Sequence, residues 1–361
     1  MKIDCYTYQL PFKNPFESSN NVYARREGIV FAVSGPGGPC YGEAAPLPGF
    51  SSETLEDIET QIETHIENWS GLLNSDHPVQ ELQDHYLAET TLPALQFALD
   101  GLAYQVAAQQ AQQSLISFLF EEPAPAVAVN GLLSLAGSDD PVLTAQKLHA
   151  RGFRTIKCKV GTDWPCEQKL LRRIRDRLPG LHIRLDANRA WTTEEAITNL
   201  NSIEPVGIEY CEEPLSHPTP EKWGELDRLT NVPLALDESI NKNEQWKHLL
   251  SYCSFLIIKP MVIGSFSRLF AIRQRARQFN CSLVFTSSLE SSIGRTITAV
   301  LASGLGSEDH AHGLNTGSLL AQDFTAHQPE VISGVIYSNK LDPAAVDKQH
   351  LNQIGTRRIG S

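Results

Sequence analysis

The chain has 361 residues, of which 41% are hydrophobic and 20% charged, and its formal net charge is −12. This length suits either two domains or a barrel of about 250 residues with an added unit. The negative charge argues against a nucleic-acid-binding surface, and the lack of a run of ~20 apolar residues argues against a membrane span. The seven cysteines form no Cys-x-x-Cys pair, and the first residues lack a signal peptide, so we expect a cytoplasmic protein.

The first 122 residues predict strands followed by helices. Residues 28–34 and 40–47 have the composition of a hairpin, and the Gly-Pro-Gly-Gly turn lies between them. Helical periodicity then begins near Leu55 and returns at 79–88 and 93–110. Strands and helices that do not alternate indicate an α+β unit.

From residue 123 the pattern alternates between apolar strands and helices. Strand-like segments lie at 126–132, 153–160, 182–187, 206–211, 233–236, 254–258 and 281–286, with a weak eighth at 312–316. Repeated units of about 25 residues predict parallel strands closed into a barrel. We therefore predict an α/β fold with three parts: an α+β capping domain (1–122), a (β/α)7β TIM-like barrel (123–320) and a C-terminal segment (321–361) that packs back on the capping domain.

Charged side chains recur where consecutive predicted strands end. They are Lys157 and Lys159, then Asp186, Glu212, Asp237 and Lys259. From Lys159 onward the gaps between them are 27, 26, 25 and 22 residues, about one barrel unit each time. Active sites of such barrels form at the C-terminal ends of the strands, so we expect these side chains to converge.

Three converging carboxylates form the kind of oxygen-rich site that Mg²⁺ prefers, with Mn²⁺ as an alternative. Lys157 and Lys159 point to the same face of a strand, so each should lower the pKa of the other. A base, an opposing ammonium group and a metal can together remove a proton next to a substrate carboxylate. Taken singly, each motif has a structural explanation, such as a helix cap at 237–239, a loop at 212–214 or an exposed strand face at the lysine pair. Only their joint placement favours a site for a small carboxylate substrate.

The same segments resemble the enolase superfamily in its muconate-lactonizing branch, and most closely the family of o-succinylbenzoate synthases of menaquinone biosynthesis. The matching segments occur in family order at 42–51, 157–161, 185–191, 212–214, 237–239, 258–260 and 287–294. The resemblance implies that Asp186, Glu212 and Asp237 bind Mg²⁺. It also implies that Lys159 acts first as base and then as acid, while Lys259 stays a cation. The implied reaction is syn-dehydration of 2-succinyl-6-hydroxy-2,4-cyclohexadiene-1-carboxylate to 2-succinylbenzoate.

Further candidates surround this predicted centre. Thr286 and Ser287 could hydrogen-bond substrate oxygens, and Ser288 could either do so or cap the next helix. Arg25 and Phe50 are candidate substrate contacts from loops that close the mouth of the barrel. Lys157, Arg184 and Asn188 are expected to support the metal or the substrate from nearby.

Two alternatives stay open. An N-succinylamino acid racemase or dipeptide epimerase would use the same scaffold, with both lysines exchanging protons. A non-catalytic, enolase-like binding protein would keep the barrel without its chemistry. The oligomeric state is not predicted.

Overall fold

The computed structural model describes residues 1–17, 22–87, 90, 92–136, 140–242, 246–325, 329–353 and 357–359. The strands in these ranges are β1 Ile3–Glu17, β2 Val22–Gly35, β3 Gly38–Ala44, β4 Ala126–Ala128, β5 Gly131–Leu133, β6 Thr155–Lys159, β7 His182–Asp186, β8 Ile208–Glu212, β9 Leu234–Leu236, β10 Phe255–Ile258, β11 Ser282–Phe285, β12 Val335–Tyr337 and β13 Arg357–Ile359. The α-helices are α1 Leu55–Leu73, α2 Pro78–Leu82, α3 Pro93–Gln110, α4 Leu115–Leu119, α5 Pro141–Ala150, α6 Trp164–Arg177, α7 Thr193–Ile203, α8 Pro220–Leu229, α9 Glu238–Lys242, α10 Trp246–Leu249, α11 Pro260–Ile263, α12 Phe266–Gln278, α13 Ser292–Leu305 and α14 Lys348–Gln353. None of the described helices combines the length and apolar character needed to span a membrane.

The N-terminal unit is an antiparallel sheet in the order β13-β1-β2-β3. The first strand was not predicted, because Pro11 and Pro15 weigh against a strand in its sequence. Pairing with β2 overrides this local preference, and the register shifts only between Pro11 and Phe16. The strand β13 pairs antiparallel with β1 at the edge of the same sheet.

Helices α1, α2 and α3 follow the first three strands, and α3 packs on β3. Gly42 permits this contact, since a Cβ atom there would lie 2.4 Å from the carbonyl oxygen of Ala98. The predicted helix at 79–88 is α2, continued by a π-helical turn at Gln83–Leu87. Thr54 begins α1 with a capping box that includes Asp57.

The second unit is a parallel sheet in the order β11-β10-β9-β8-β7-β6-β5, which confirms the predicted α/β barrel fold. The structure adds detail to the prediction in two places. The segment at 126–132 forms two short strands, and β4 pairs antiparallel with β12 instead of joining the barrel sheet. The weak eighth strand is reduced to single bridges at His312 and Gly313, because the chain turns into a 3-10 helix at Asn315–Leu319. These bridges, to Val129 on one side and Thr286 on the other, close the barrel.

Buried carboxylates join the N-terminal unit to two barrel helices. Asp100 of α3 accepts the backbone N–H of Phe266 at 2.6 Å, at the start of α12. Glu43 of β3 accepts the backbone N–H of Gly294 at 2.7 Å, in the first turn of α13. An acidic group at a helix N-terminus satisfies N–H groups that have no partner inside the helix and is stabilised by the helix dipole. The boundaries near residues 122 and 320 that the sequence suggests remain a proposal.

Candidate active site

The strand register places acids and lysines side by side at the C-terminal end of the barrel. Lys159 pairs with Asp186, and Asp186 pairs with Glu212. Asp237 directly follows β9, the next strand of the sheet, and Lys259 directly follows β10. Asp186, Glu212 and Asp237 are exposed by only 4%, 0% and 2%. The six side chains that were predicted to converge therefore lie on neighbouring strand ends.

Lysine ammonium groups bridge the carboxylates. Lys157 Nζ lies 2.9 Å from Asp186 Oδ2 and 2.8 Å from Glu212 Oε2. Lys259 Nζ forms a short ion pair with Asp237 Oδ2. Within the described ranges, no three acidic, histidine or cysteine side chains enclose a common point as a finished metal cage would. The strand register places the acids next to one another, Lys157 bridges Asp186 and Glu212, and Lys259 pairs with Asp237.

Burial and crowding shift the pKa values of this cluster. Burial raises the pKa of Glu212 well above its usual range, and the negative charge of Asp186 raises it further. Burial would lower the pKa of Lys157, but the carboxylates of Asp186 and Glu212 raise it well above its usual value. The pKa of Lys159 is lowered, first by burial and also by the charges of Lys157 and Lys259. The lysine pair thus contains one firmly charged member and one that loses its proton more readily.

The acids fit a hard divalent cation. Asp237 Oδ1 and Glu238 Oε2 are buried, and neither has a hydrogen-bond partner in the part of the chain that the structure describes. Burial and the adjacent Asp237 raise the pKa of Glu238 to about 7. Asn188 donates its backbone N–H to Asp186 Oδ1 at 3.2 Å and its side-chain amide to Glu238 at 3.4 Å. An all-oxygen donor set with unsatisfied buried oxygens is suited to Mg²⁺ or Mn²⁺.

Glu213 fixes the backbone of Asp237, and the sequence did not lead us to predict this role. Glu213 is fully buried, and its Oε1 accepts the backbone N–H groups of Asp237 at 2.9 Å and Ser239 at 2.8 Å. Its Oε2 accepts Arg189 Nε at 3.0 Å and the Ser239 hydroxyl at 3.0 Å. Glu213 and Arg189 also have φ of 41° and 62°, a costly left-handed backbone that is common at functional sites. The sequence feature that could have identified Glu213 is its place as the second acid of the Glu212-Glu213-Pro214 motif.

Two aromatic rings from the N-terminal unit cover the lysines. The Phe50 ring centroid lies 5.1 Å from Lys259 Nζ, and the Phe16 centroid lies 5.4 Å from Lys159 Nζ. Phe50 was predicted near the substrate, whereas Phe16 was not identified. No signal in the sequence around Phe16 could have identified it, because its neighbours in the site are distant in the chain.

Other predicted residues have partners away from the acids. Arg25 is on β2 with 58% of its side chain exposed, and it pairs with Glu27 at 3.0 Å. Arg184 is fully buried, and its guanidinium group donates to Glu209 and to the carbonyl oxygen of Ala311. Neither arginine has a hydrogen bond to the three strand-end acids among those described.

The polar residues Thr286, Ser287 and Ser288 directly follow β11, at the same end of the barrel as the acids and lysines. Thr286 donates its hydroxyl to the carbonyl oxygen of Gly313 at 3.1 Å, and the hydroxyl groups of Ser287 and Thr316 share a short hydrogen bond. Ser288 Oγ is buried and has no hydrogen-bond partner among the described residues. The alternative that Ser288 caps the next helix is wrong, because α13 has Ser291 as its N-cap.

Comparisons with known proteins agree with this geometry. Residues 140–340 match the family described as enolase C-terminal domain-like, and residues 1–102 match the MenC N-terminal domain. The o-succinylbenzoate synthase of Vibrio cholerae serotype O1 (strain M66-2) is 29% identical over 306 residues, which cover 82% of this chain and 84% of that protein.

Solved structures share the fold. The muconate lactonizing enzyme from Pseudomonas fluorescens, complexed with muconolactone, has a TM-score of 0.84 at 19% identity and covers 99% of this chain and 98% of its own. The N-succinyl Arg/Lys racemase from Bacillus cereus has a TM-score of 0.82 at 19% identity and covers 100% of both chains. The resemblance predicted from the strand-end motifs is confirmed: the chain belongs to the enolase superfamily, with an enolase C-terminal domain-like barrel preceded by a MenC N-terminal domain.

Proposed function

We propose that this enzyme dehydrates 2-succinyl-6-hydroxy-2,4-cyclohexadiene-1-carboxylate to 2-succinylbenzoate with the help of Mg²⁺. The observation that carries the proposal is the row of Lys159, Asp186 and Glu212 at paired positions on three neighbouring strands. The choice of substrate is supported by relatives named o-succinylbenzoate synthase and by the MenC N-terminal domain match. The reaction class is that of a hydro-lyase acting on a small carboxylate.

Asp186, Glu212 and Asp237 would hold the metal. When bound, it would supply positive charge that offsets the negative charge developing on the substrate carboxylate. Lys157 would keep two of these acids together, since its Nζ lies within 2.9 Å of both Asp186 and Glu212. Loss of the α-proton from a weak carbon acid then becomes accessible to a lysine base.

Lys159 would remove the proton from the carbon next to the carboxylate. Its lowered pKa, caused first by burial, increases the fraction of neutral amine at neutral pH. The same ammonium group would then give this proton to the departing hydroxyl, so that the C–O bond breaks and water leaves. One lysine can serve both steps because proton and hydroxyl leave from the same face in a syn elimination.

Lys259 would remain a cation throughout. It is ion-paired with Asp237 and lies under the Phe50 ring, and the carboxylates of Asp237 and Glu238 raise its pKa although burial lowers it. A lysine held charged on one side and a lysine with a lowered pKa on the other suit a one-base dehydration. A racemase instead needs both lysines to exchange protons.

The experiment compares wild-type protein with Lys159→Ala and, as matched control, Lys169→Ala, whose side chain is exposed on α6. We expect Lys159→Ala to bind Mg²⁺ and keep its fold but to lose at least about 100-fold in turnover, the typical contribution of a general base. The control should be unaffected. Unchanged turnover in Lys159→Ala would remove the proposed base.

A second assay tests the substrate. Wild-type protein is incubated in D₂O with the cyclohexadiene substrate or with N-succinylamino acids and followed by NMR. Solvent-deuterium exchange at the α-carbon of succinylamino acids, without any dehydration of the diene, would replace our proposal by a racemase.

We also propose that the protein acts in the cytoplasm. All seven cysteines are free thiols, and six of them are buried, which suits the reducing cytoplasm we propose. Arg25, Thr286, Ser287 and Ser288 remain proposed contacts for the substrate.

A further inference from the structure

Glu43 connects the two units at a point that the proposed reaction does not explain. Its carboxylate is fully buried and accepts the backbone N–H groups of Ser291 at 2.8 Å and Gly294 at 2.7 Å. The hydroxyl groups of Ser291 and Tyr8 donate to it through short hydrogen bonds. One carboxylate of the N-terminal unit therefore caps the first turn of α13, the helix that follows β11.

A second buried acid lies beside it. Glu290 has no exposed surface, its Oε2 accepts the backbone N–H of Ser288, and its Oε1 accepts the Thr298 hydroxyl at 3.2 Å. A Cβ atom on Gly294 would lie 2.6 Å from Glu290 Cγ and 3.0 Å from Glu43 Oε2. Only a glycine lets both acids approach the helix. Burial and the charge of Glu43 raise the pKa of Glu290 to about 7, which is consistent with two acids in close contact.

The two acids hold a turn that its own sequence does not favour. The turn runs over residues 286–289, from the end of β11 toward α13, and Leu289 has φ of 66°. A left-handed leucine costs about 1–3 kcal/mol and persists only where the surroundings impose it. Here Glu290 binds the backbone before Leu289, and Glu43 binds the helix start after it.

This turn also carries the hydroxyl groups of Thr286, Ser287 and Ser288 at the C-terminal end of the barrel strands. Ser288 Oγ is buried and has no hydrogen-bond partner among the described residues. The acids and lysines of the proposed chemistry lie on β6 to β10, and their positions are set by the strand register. The turn meets them where the Thr286 N–H donates to the carbonyl oxygen of Ile258 at 2.8 Å, at the end of β10. A change at α13 would therefore displace residues 287–289 more than those groups.

We propose that Glu43 is a positioning residue for the dehydration proposed above: by capping α13 it places the turn at 286–289 where it contacts the non-reacting part of the substrate. Glu43 itself contacts no substrate. The inference rests on the proposed function. Its signature is a change in substrate affinity that leaves the chemical step in place.

The test measures kcat and KM for the diene with Glu43→Gln, which keeps the shape of the side chain but turns one acceptor into a donor. We expect KM to rise roughly ten- to hundredfold, the scale of a misplaced binding contact, while kcat stays within about threefold of wild type. Glu290→Gln keeps an oxygen for the Ser288 N–H and should raise KM in the same direction by a smaller factor. It serves as the second variant if Glu43→Gln does not fold.

Asp100→Asn is the matched control. Asp100 is also a fully buried acid of the N-terminal unit that caps a barrel helix, but that helix is α12. We expect it to lower the midpoint of thermal unfolding without changing KM. Equal rises of KM in the Asp100 and Glu43 variants would show that Glu43 has only a general structural role, and a fall in kcat alone would refute a role in placing the binding turn.

The outcomes separate this inference from the function. A wild-type chain that does not dehydrate the diene refutes both. Wild-type turnover together with an unchanged KM in a folded Glu43→Gln or Glu290→Gln variant refutes the positioning role alone.

Discussion

Replacing Glu213 by glutamine should weaken metal binding although Glu213 is not one of the three proposed metal ligands. In the folded protein, Oε1 accepts the backbone N–H groups of Asp237 and Ser239, and Oε2 accepts Arg189 Nε and the Ser239 hydroxyl. A glutamine oxygen can preserve the first pair of bonds. Its amide nitrogen then faces Arg189, so that two donors meet and the ion pair is lost.

The contacts of Glu213 allow the size of both effects, on stability and on metal binding, to be estimated. Removing one partner of a buried ion pair costs about 3–5 kcal/mol. The side chain of Arg189 is 18% exposed and keeps part of its hydration, so we expect the lower end, about 3 kcal/mol, in the free energy of unfolding. Without the ion pair to Arg189 the side chain at 213 is held less firmly against the backbone of Asp237, so we also expect Mg²⁺ affinity to fall by about 10- to 100-fold, as for other residues that orient metal ligands.

Urea unfolding without metal measures the first quantity, and calorimetric titration with Mg²⁺ measures the second. Glu63→Gln, at an exposed position on α1, is the control that removes the same charge. A Glu213→Gln variant that is destabilised but binds Mg²⁺ like wild type would refute the reasoning that this acid positions Asp237.

Three further predictions concern Phe16, Lys157 and His312. Phe16→Ala should admit more water to the amine of Lys159, a residue that is already exposed at the end of β6 but whose pKa is lowered chiefly by desolvation, and so should raise the pKa of the base in the pH profile of kcat/KM; an unmoved profile would contradict the role of the ring. Lys157→Met should leave Glu212 without its ion pair and destabilise the metal-free protein by about 3 kcal/mol, with Mg²⁺ restoring much of the loss in a thermal unfolding assay. His312 is neutral in the folded protein, because burial and the charge of Arg184 lower its pKa from 6.5 to about 3. The unfolded chain therefore binds this proton first, and stability should fall below about pH 6.5 by up to ~1.4 kcal/mol per pH unit, a slope that His312→Gln should reduce in urea unfolding.

The strand-end residues were predictable because they carry their signal locally. Asp186, Glu212 and Lys259 each end a short strand-like segment, and the spacing between such segments repeats with the barrel unit. Knowing the strand order of a parallel barrel then suffices to place them at one end. The fold class was predictable for the same reason, since each βα unit is recognisable alone.

Residues that act through contacts distant in sequence were not predictable. Phe16 reaches Lys159 across 143 positions (159 minus 16), and no local pattern distinguishes it from a buried hairpin residue. The bridges of the last barrel position involve only His312 and Gly313, too few residues to show a period. The strand β1 contains prolines and depends on its partner β2 for its conformation. In each case the structure is decided by a neighbour that the one-dimensional pattern does not reveal.

The acids that fasten the N-terminal unit to α12 and α13 limit how this protein can be taken apart or recombined. A barrel produced without the N-terminal unit would lose the acceptors Asp100 and Glu43 at both helix starts and would expose the apolar surface that α3 and β3 cover, and we expect such a fragment to aggregate. A graft of another N-terminal unit onto this barrel would succeed only if that unit carried carboxylates at both places. The two units are therefore expected to change together in evolution, even though the strand-end groups of the reaction lie in the barrel alone.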